Sequence, residues 1–286
     1  MELLNRRIIE ENIFKILMIF SILVVVGSLV LIFTVIIFNG ASSISIDMLT
    51  QTSSPRYYLG KGGGGMLNAI VGSLLLAFPS TAMAFLIGIC IALYLQRDFL
   101  HPSISNFIRL CLDILWGVPS IIYGIFCMTI MIALGMSTSL LFGIIALTLL
   151  EIPIITRSID ESIKMVPLSL KESAYSLGST KFETAIKVIR RQALPGIVAG
   201  VLLGLGRGIG DAASILLTVG DSNFLPNSLY DSTAALPTMI LNLLSMPDPN
   251  VQSKAYAVAF VLLIMVLVIS IVSRTLTKKS TKYIIK

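Results

Sequence analysis

The stretch Ile114–Leu150, ILWGVPSIIYGIFCMTIMIALGMSTSLLFGIIALTLL, runs for 37 residues without a charge. A bilayer core takes about 20 helical residues at a rise of 1.5 Å each, so this run is too long for one crossing. The polar break Gly135-Met136-Ser137-Thr138-Ser139 divides it into two apolar helices joined by a tight turn. Outward from it, Ile16–Phe38, Met66–Leu95 and Ala255–Ser273 are also free of charge, and each is long enough to cross. Leu194–Val219 is a further apolar stretch, interrupted by Arg207 and Asp211. The pattern predicts an all-α polytopic membrane bundle of six transmembrane helices.

Composition agrees. Apolar residues make up 56% of the 286 and charged ones 13%, against roughly 25% charged in an average soluble domain. A soluble protein this poor in charge could not cover its surface with polar groups. That excludes a soluble enzyme, a disordered tail and a disulfide-stapled secreted module. Cys90, Cys111 and Cys127 lie in apolar segments without metal or redox spacing and are expected to be small buried hydrophobes. With His101 the single histidine, no metal site and no catalytic constellation are expected. The run Gly62–Gly65 lacks the Gly-Lys-Ser/Thr of a phosphate-binding loop. It is either a flexible loop end or a set of backbone amides near the outer mouth that meet an anion.

The basic residues set the orientation. With both termini in the cytoplasm, Arg6, Arg7, Lys15, Arg97, Arg109, the seven cations of Arg157–Arg191 and the five from Arg274 onward lie inside, against Arg56, Lys61 and Lys254 outside. Seventeen against three is a clear positive-inside bias. The first apolar run exceeds the 7–15 residues of a signal-peptide core, and Asn39-Gly40-Ala41 is a poor cleavage site, so it is expected to remain as the first span. Anionic heads of the lipid bilayer and a cytoplasmic protein partner account for the net charge of +6, with no nucleic acid required.

Polar segments are few. In the inner loop, Pro167 precedes a helix over Leu168–Leu177 and Gly178 closes it. Thr180 with Glu183 then forms a capping box for a second short helix. Leu170, Ala174 and Leu177 share one face of the first. The pair either packs on its own bundle or inserts into a groove of a soluble partner. Within span five, Arg207 and Asp211 are four apart and can pair on one helix face, serving a structural bridge or a role in passage. Gly196, Gly200, Gly204 and Gly208 form a row at spacing four that admits a close neighbour. Asp113 and Glu151 stand near helix ends and are expected to reach interfacial water. Pro119 kinks span three.

Glu172-Ser173-Ala174 followed by Gly178 resembles the EAA loop of ABC importer permeases. Further stretches are similar to the phosphate-specific permeases of the PstA type. These are Gly63-Gly64-Gly65-Met66-Leu67-Asn68-Ala69, Gly117-Val118-Pro119-Ser120-Ile121-Ile122-Tyr123-Gly124, Ala193-Leu194-Pro195-Gly196, Arg207-Gly208-Ile209-Gly210-Asp211 and Leu236-Pro237. The resemblance implies a permease subunit, not an enzyme, in the bacterial inner membrane. Its implied partners are a second homologous permease, an ABC ATPase dimer and an extracytoplasmic phosphate-binding protein. It implies no cofactor on this chain, with ATP and Mg used by the ATPase. Pro167, Glu172, Ala174, Gly178 and Lys181 would couple to that ATPase. Arg207, Asp211, Pro119, Ser120 and Glu151 would line or gate the pathway. Three positions depart from the family: Arg190-Arg191 replaces Leu-Pro, Gly210-Asp211-Ala212-Ala213-Ser214 replaces Gly-Glu-Thr-Ala-Pro, and Glu151 replaces a threonine.

The expected organisation is a first span with its outer loop over 1–65, a permease domain over 66–274 with a coupling loop at 157–193, and a basic tail over 275–286. A permease for another oxyanion such as molybdate or sulfate is the nearest alternative. A self-contained ion-coupled carrier or channel would instead show inverted repeats or several mid-membrane charges.

Overall fold

A computed structural model describes residues 2–41, 43–54 and 64–280. Among them the order is α1 (Glu2–Ala41), α2 (Ile46–Thr50), α3 (Leu67–Tyr94), α4 (Pro102–Gly117), α5 (Ser120–Ala133) and α6 (Leu140–Lys164). Then follow α7 (Leu168–Ser176), α8 (Lys181–Gln192), α9 (Leu194–Gly210), α10 (Leu236–Leu244) and α11 (Pro249–Ser280). Helices α1, α3, α6 and α11 are long and apolar enough to cross a membrane. Two bent pairs, α4–α5 at 95° and α8–α9 at 72°, bring the number to six if each pair is one crossing. Gly62, Gly63, Arg56, Lys61 and the last six residues of the tail lie outside the described residues.

The expected kink at Pro119 is a full elbow. The Gly117-Val118-Pro119 break ends α4, and Pro119, with φ −56° and ψ 134°, starts α5. Proline lacks the N–H that a continuous helix would need there, and it pushes the residue before it out of the helical region. The third apolar run is therefore α5, and the residues before the elbow form an amphipathic helix. Its apolar face leaves Ile104, Phe107 and Leu110 exposed, while Arg109 turns inward. The break at Gly135–Ser139 falls where expected: Gly135 takes φ +67°, and the Ser139 hydroxyl caps α6 through the Phe142 amide.

Helix α6 is the axis of the fold, with 72% of its apolar window buried against 0% for α1. It packs against α3, α4, α5 and α9. The glycine row of α9 meets it antiparallel. A Cβ at Gly196 would strike Ser162, at Gly200 Ser158 (2.7 Å), at Gly204 Ile155 (2.6 Å), and at Gly208 the carboxyl of Glu151. Lipid tails are as apolar as the helix surface, so close van der Waals approach of this kind holds such helices together. Helix α1 leans on α11, where Gly40 abuts Tyr256 and Phe260.

Three further expectations need correction. Span five does not run to Val219; α9 stops at Gly210, and 211–235 folds back over the ends of α3 and α6. There Thr218 O accepts from Ser139 N (2.9 Å) and Asp231 O from Leu140 N (2.9 Å), satisfying donors that the α6 N-terminus would leave open. The segment 157–193, expected as a loop, begins as helix: α6 continues through Lys164. Only Cys127 is buried; Cys111 is half-buried and Cys90 exposed, since α3 turns one face away from its own bundle.

Candidate functional site

Two regions hold the residues singled out above. The first is the α7–α8 loop. Pro167 stands just before α7, and Gly178 takes φ +81°, a left-handed conformation that costs an L side chain about 1–2 kcal/mol. The capping box forms: the Thr180 hydroxyl accepts from Glu183 N (3.3 Å), and Glu183 Oε2 accepts from Thr180 N (3.2 Å). From Thr184 to Ile189 the helix widens into a π segment, with Arg190 N donating to Ala185 O.

Ala174 is the buried contact of α7, and Leu170 packs beside it on the core formed by Ala185 and Ile189. Leu177 does not share that face. It caps the helix and is 88% exposed, alongside Met165, Leu168 and Phe182. Pro167, Glu172 and Lys181 are also exposed. The loop is tied to the α3–α4 connection at Asp98, whose backbone oxygen accepts from Lys181 Nζ (3.0 Å) and whose carboxylate lies 3.6 Å from Lys171. Met165 and Leu168 beside Pro167, with Leu177 and Phe182 near Gly178, present four large apolar side chains at the two bends of the loop, a surface suited to burial in a partner. Their positions beside Pro and Gly were the available signal in the sequence.

Beneath the loop lies a buried ion cluster that sequence reasoning missed. Asp160, with no exposed surface, accepts from Arg109 Nε (2.8 Å), Arg157 Nη1 (3.1 Å) and Lys164 Nζ (2.9 Å). Arg109 also donates to Leu95 O (3.0 Å), so the cluster pins α3, α4 and α6 together. Asp113 reaches Arg157 (2.6 Å) instead of standing alone in interfacial water.

The second region is the polar seam along α6 and α9. Glu151 is not at a wet helix end: it is completely buried in mid-helix. Oε1 accepts weakly from the Ser80 hydroxyl of α3 (3.4 Å), while Oε2 and the hydroxyls of Thr81 and Thr156 lack partners. Arg207 and Asp211 do not pair. Asp211 is outside the helix, at φ −83° and ψ 115°, and its Oδ2 accepts from the amide (2.9 Å) and hydroxyl of Ser214. Among the described residues no ion pair joins Arg207, which is exposed on this chain. Ser120 is half-buried at the start of α5 and Pro119 exposed. One turn on, Gly124 lies against Ser214 O, 2.6 Å from where a Cβ would stand, so α5 and the segment after α9 meet here. At the far end, Gly65 N is spent on Thr52 O (3.0 Å), which removes it from the expected set of anion-facing amides. Asn68 there ties Ser53 to Ser222 O (2.6 Å). No cluster of metal-ligating side chains occurs among the described residues.

Residues 84–282 match the family described as binding-protein-dependent transport system inner membrane component. The chain is 32% identical over 241 residues to the phosphate transport system permease protein PstA of Yersinia pestis, covering 84% of this chain and 81% of that one. It is 32% identical over 267 residues to the protein of the same name from Mycobacterium leprae, covering 91% and 86%. Among solved structures, an inward-facing MetNI methionine ABC transporter gives a TM-score of 0.63 at 19% identity, over 80% of this chain and all of that one. That likeness concerns the fold.

Proposed function

The chain belongs to the family of binding-protein-dependent transport system inner membrane components, and from that premise we propose that it is a permease subunit of an ATP-driven importer of inorganic phosphate. The observation that carries this is the similarity to phosphate transport permeases along 84–91% of the chain. A second homologous permease would complete the pathway, an extracytoplasmic binding protein would deliver the anion, and an ATPase dimer using ATP and Mg would drive it. The chain itself needs no cofactor and catalyses no bond-breaking step.

The coupling assignment rests on the α7–α8 loop. Pro167 and Gly178 fix its two bends, Leu170 packs α7 on α8, and Ala174 is buried one turn on. Glu172 and Lys181 flank the exposed Met165, Leu168, Leu177 and Phe182. Closure of the ATPase dimer would push on this surface. The Asp160 cluster and the tight α6–α9 seam carry the push as rigid-body motion, because packed interfaces of this kind do not deform continuously. In the pathway, Arg207 supplies an available cation for an anion in transit. Asp211 and Ser214 shape the backbone after α9, and Pro119 and Ser120 set the elbow opposite. Glu151, sealed between α6 and α9, acts through their approach.

The test is uptake of radiolabelled phosphate at low external concentration, in bacteria deleted for the gene and complemented with it, with sulfate and molybdate as competitors. ATP-dependent uptake that neither competitor reduces is expected. Unchanged phosphate uptake in the deletion strain would sink the substrate assignment.

A further inference from the structure

We propose that the bend between α8 and α9 is a binding site for an anionic phospholipid of the inner leaflet, a reading that rests on the α7–α8 loop lying on the cytoplasmic side. A cavity of about 610 Å³ opens there. One wall is apolar, made by Phe85 and Ile89 from the last third of α3 and Leu194 from the first turn of α9. Its rim is cationic, made by Lys187, Arg190 and Arg191.

The charges at this rim are available. Lys187 is engaged by Glu183 at 3.0 Å, but among the described residues no ion pair joins Arg190 or Arg191, and both side chains are exposed. A second basic cavity, between α4 and α7, differs in degree, since its Arg109, Lys164 and Lys171 are held by Asp160 or Asp98 and its Arg97 is the one cation there without an ion pair among the described residues. There three of the four cations serve the protein; at the α8–α9 bend both arginines are exposed. The 72° turn puts α8 across the end of α9, which would set the cations at the headgroup level with the apolar side chains below them. An amphiphile with a negative head and hydrocarbon tail complements both halves. A free anion would leave the apolar wall uncovered, and an uncharged lipid would leave two arginines without partners.

The complete transporter, purified in mild detergent, would be examined by native mass spectrometry for retained phosphatidylglycerol. It would then be titrated in nanodiscs of phosphatidylcholine with graded phosphatidylglycerol. Each juxtamembrane arginine contributes about fivefold to binding an anionic surface, so Arg190→Gln with Arg191→Gln should lower lipid affinity about thirtyfold. Arg190→Lys with Arg191→Lys should largely keep it. Ile89→Trp, which fills the apolar wall and leaves every cation in place, should also expel the lipid. Equal retention by wild type and the double Gln variant overturns the proposal. So does displacement by millimolar inorganic phosphate, which identifies an ion site instead. Loss of the cavity to the second permease would show as wild-type complex that retains no lipid, and this too overturns it. The orientation reading has its own readout: Ser179→Cys, in a chain also carrying Cys90→Ser, Cys111→Ser and Cys127→Ser, should resist an impermeant maleimide added outside intact cells. Labelling from outside would refute the orientation independently of lipid retention.

Discussion

Gly208 of α9 rests directly on the carboxyl group of Glu151 of α6, so closely that a Cβ at position 208 would overlap Oε1. Since Glu151 is wholly enclosed, its side chain has nowhere to retreat.

Gly208→Ala is therefore expected to destabilise the subunit by about 1–3 kcal/mol, the usual cost of overpacking a filled interior. Adding Glu151→Thr shortens the opposing side chain and should recover most of that loss, a coupling of about 0.5–3 kcal/mol. Thermal unfolding of the four members of this cycle in detergent reads it directly. Additive losses would show that the two residues do not share the contact.

Asp160 is the shared acceptor for Arg109, Arg157 and Lys164. Asp160→Asn leaves those cations facing a neutral group in a buried place, at a cost of about 3–5 kcal/mol. The variant should fall steeply in membrane abundance by immunoblot. Wild-type abundance with wild-type heat stability would show that the cluster is dispensable.

At Gly178 the space around the α carbon is open, so any penalty for a side chain comes from the left-handed backbone alone. Asparagine tolerates that conformation and valine does not. Phosphate uptake should consequently fall far more in Gly178→Val than in Gly178→Asn, with both proteins still in the membrane. Equal uptake by the two would remove the bend from the coupling argument.

Arg207→Gln should lower uptake about 10- to 100-fold, the equivalent of one charge-assisted hydrogen bond to an anion. Co-purification of the ATPase should be unchanged, because the residue is remote in sequence and structure from the α7–α8 loop. Full uptake would leave Arg207 without a part in passage.

The Glu183 carboxyl is held below the usual carboxylate range, first by Lys187 (3.0 Å) and then by the Thr180 amide and hydroxyl. A lowered native value means that this group adds stability above its ordinary range and loses it as acid protonates the native carboxylate. The thermal midpoints of wild type and Glu183→Gln should differ at neutral pH and converge below pH about 4. A difference that persists in acid would assign the effect to packing.

Much of this architecture was legible because it follows from local rules. Charge-free runs marked the long helices, and Gly135 to Ser139 marked the turn between α5 and α6. Pro167, Gly178 and the Thr180–Glu183 box delimited α7 and α8 almost to the residue. The glycine row of α9 announced a close neighbour, though spacing alone could not say that the neighbour was α6 in antiparallel register. What stayed hidden depended on distant parts of the chain. The Arg207–Asp211 pairing assumed a helix that continues, whereas Asp211 finds Ser214 and leaves it. Glu151 sits near a proline and resembled a helix-end charge; only the packing of α3 and α9 around it reveals a sealed carboxyl. Asp160 and Arg109 are 51 residues apart, beyond any periodic pattern.

Helix α5 has 14 residues, about 21 Å of length, set against a hydrocarbon layer of about 30 Å. The elbow at Gly117–Pro119 lays α4 nearly at right angles across the end of α5, so α4 adds no length along α5 and the shortfall falls on this joint. Bilayer thickness thus becomes a mechanical load on one joint. Longer acyl chains pull on the elbow, shorter ones relax it, and either change costs a fraction of a kcal/mol per ångström of mismatch. Proteoliposomes of graded chain length would convert that load into a curve of transport rate, with its maximum where the membrane fits the short helix. A flat curve would show that the elbow carries no such load.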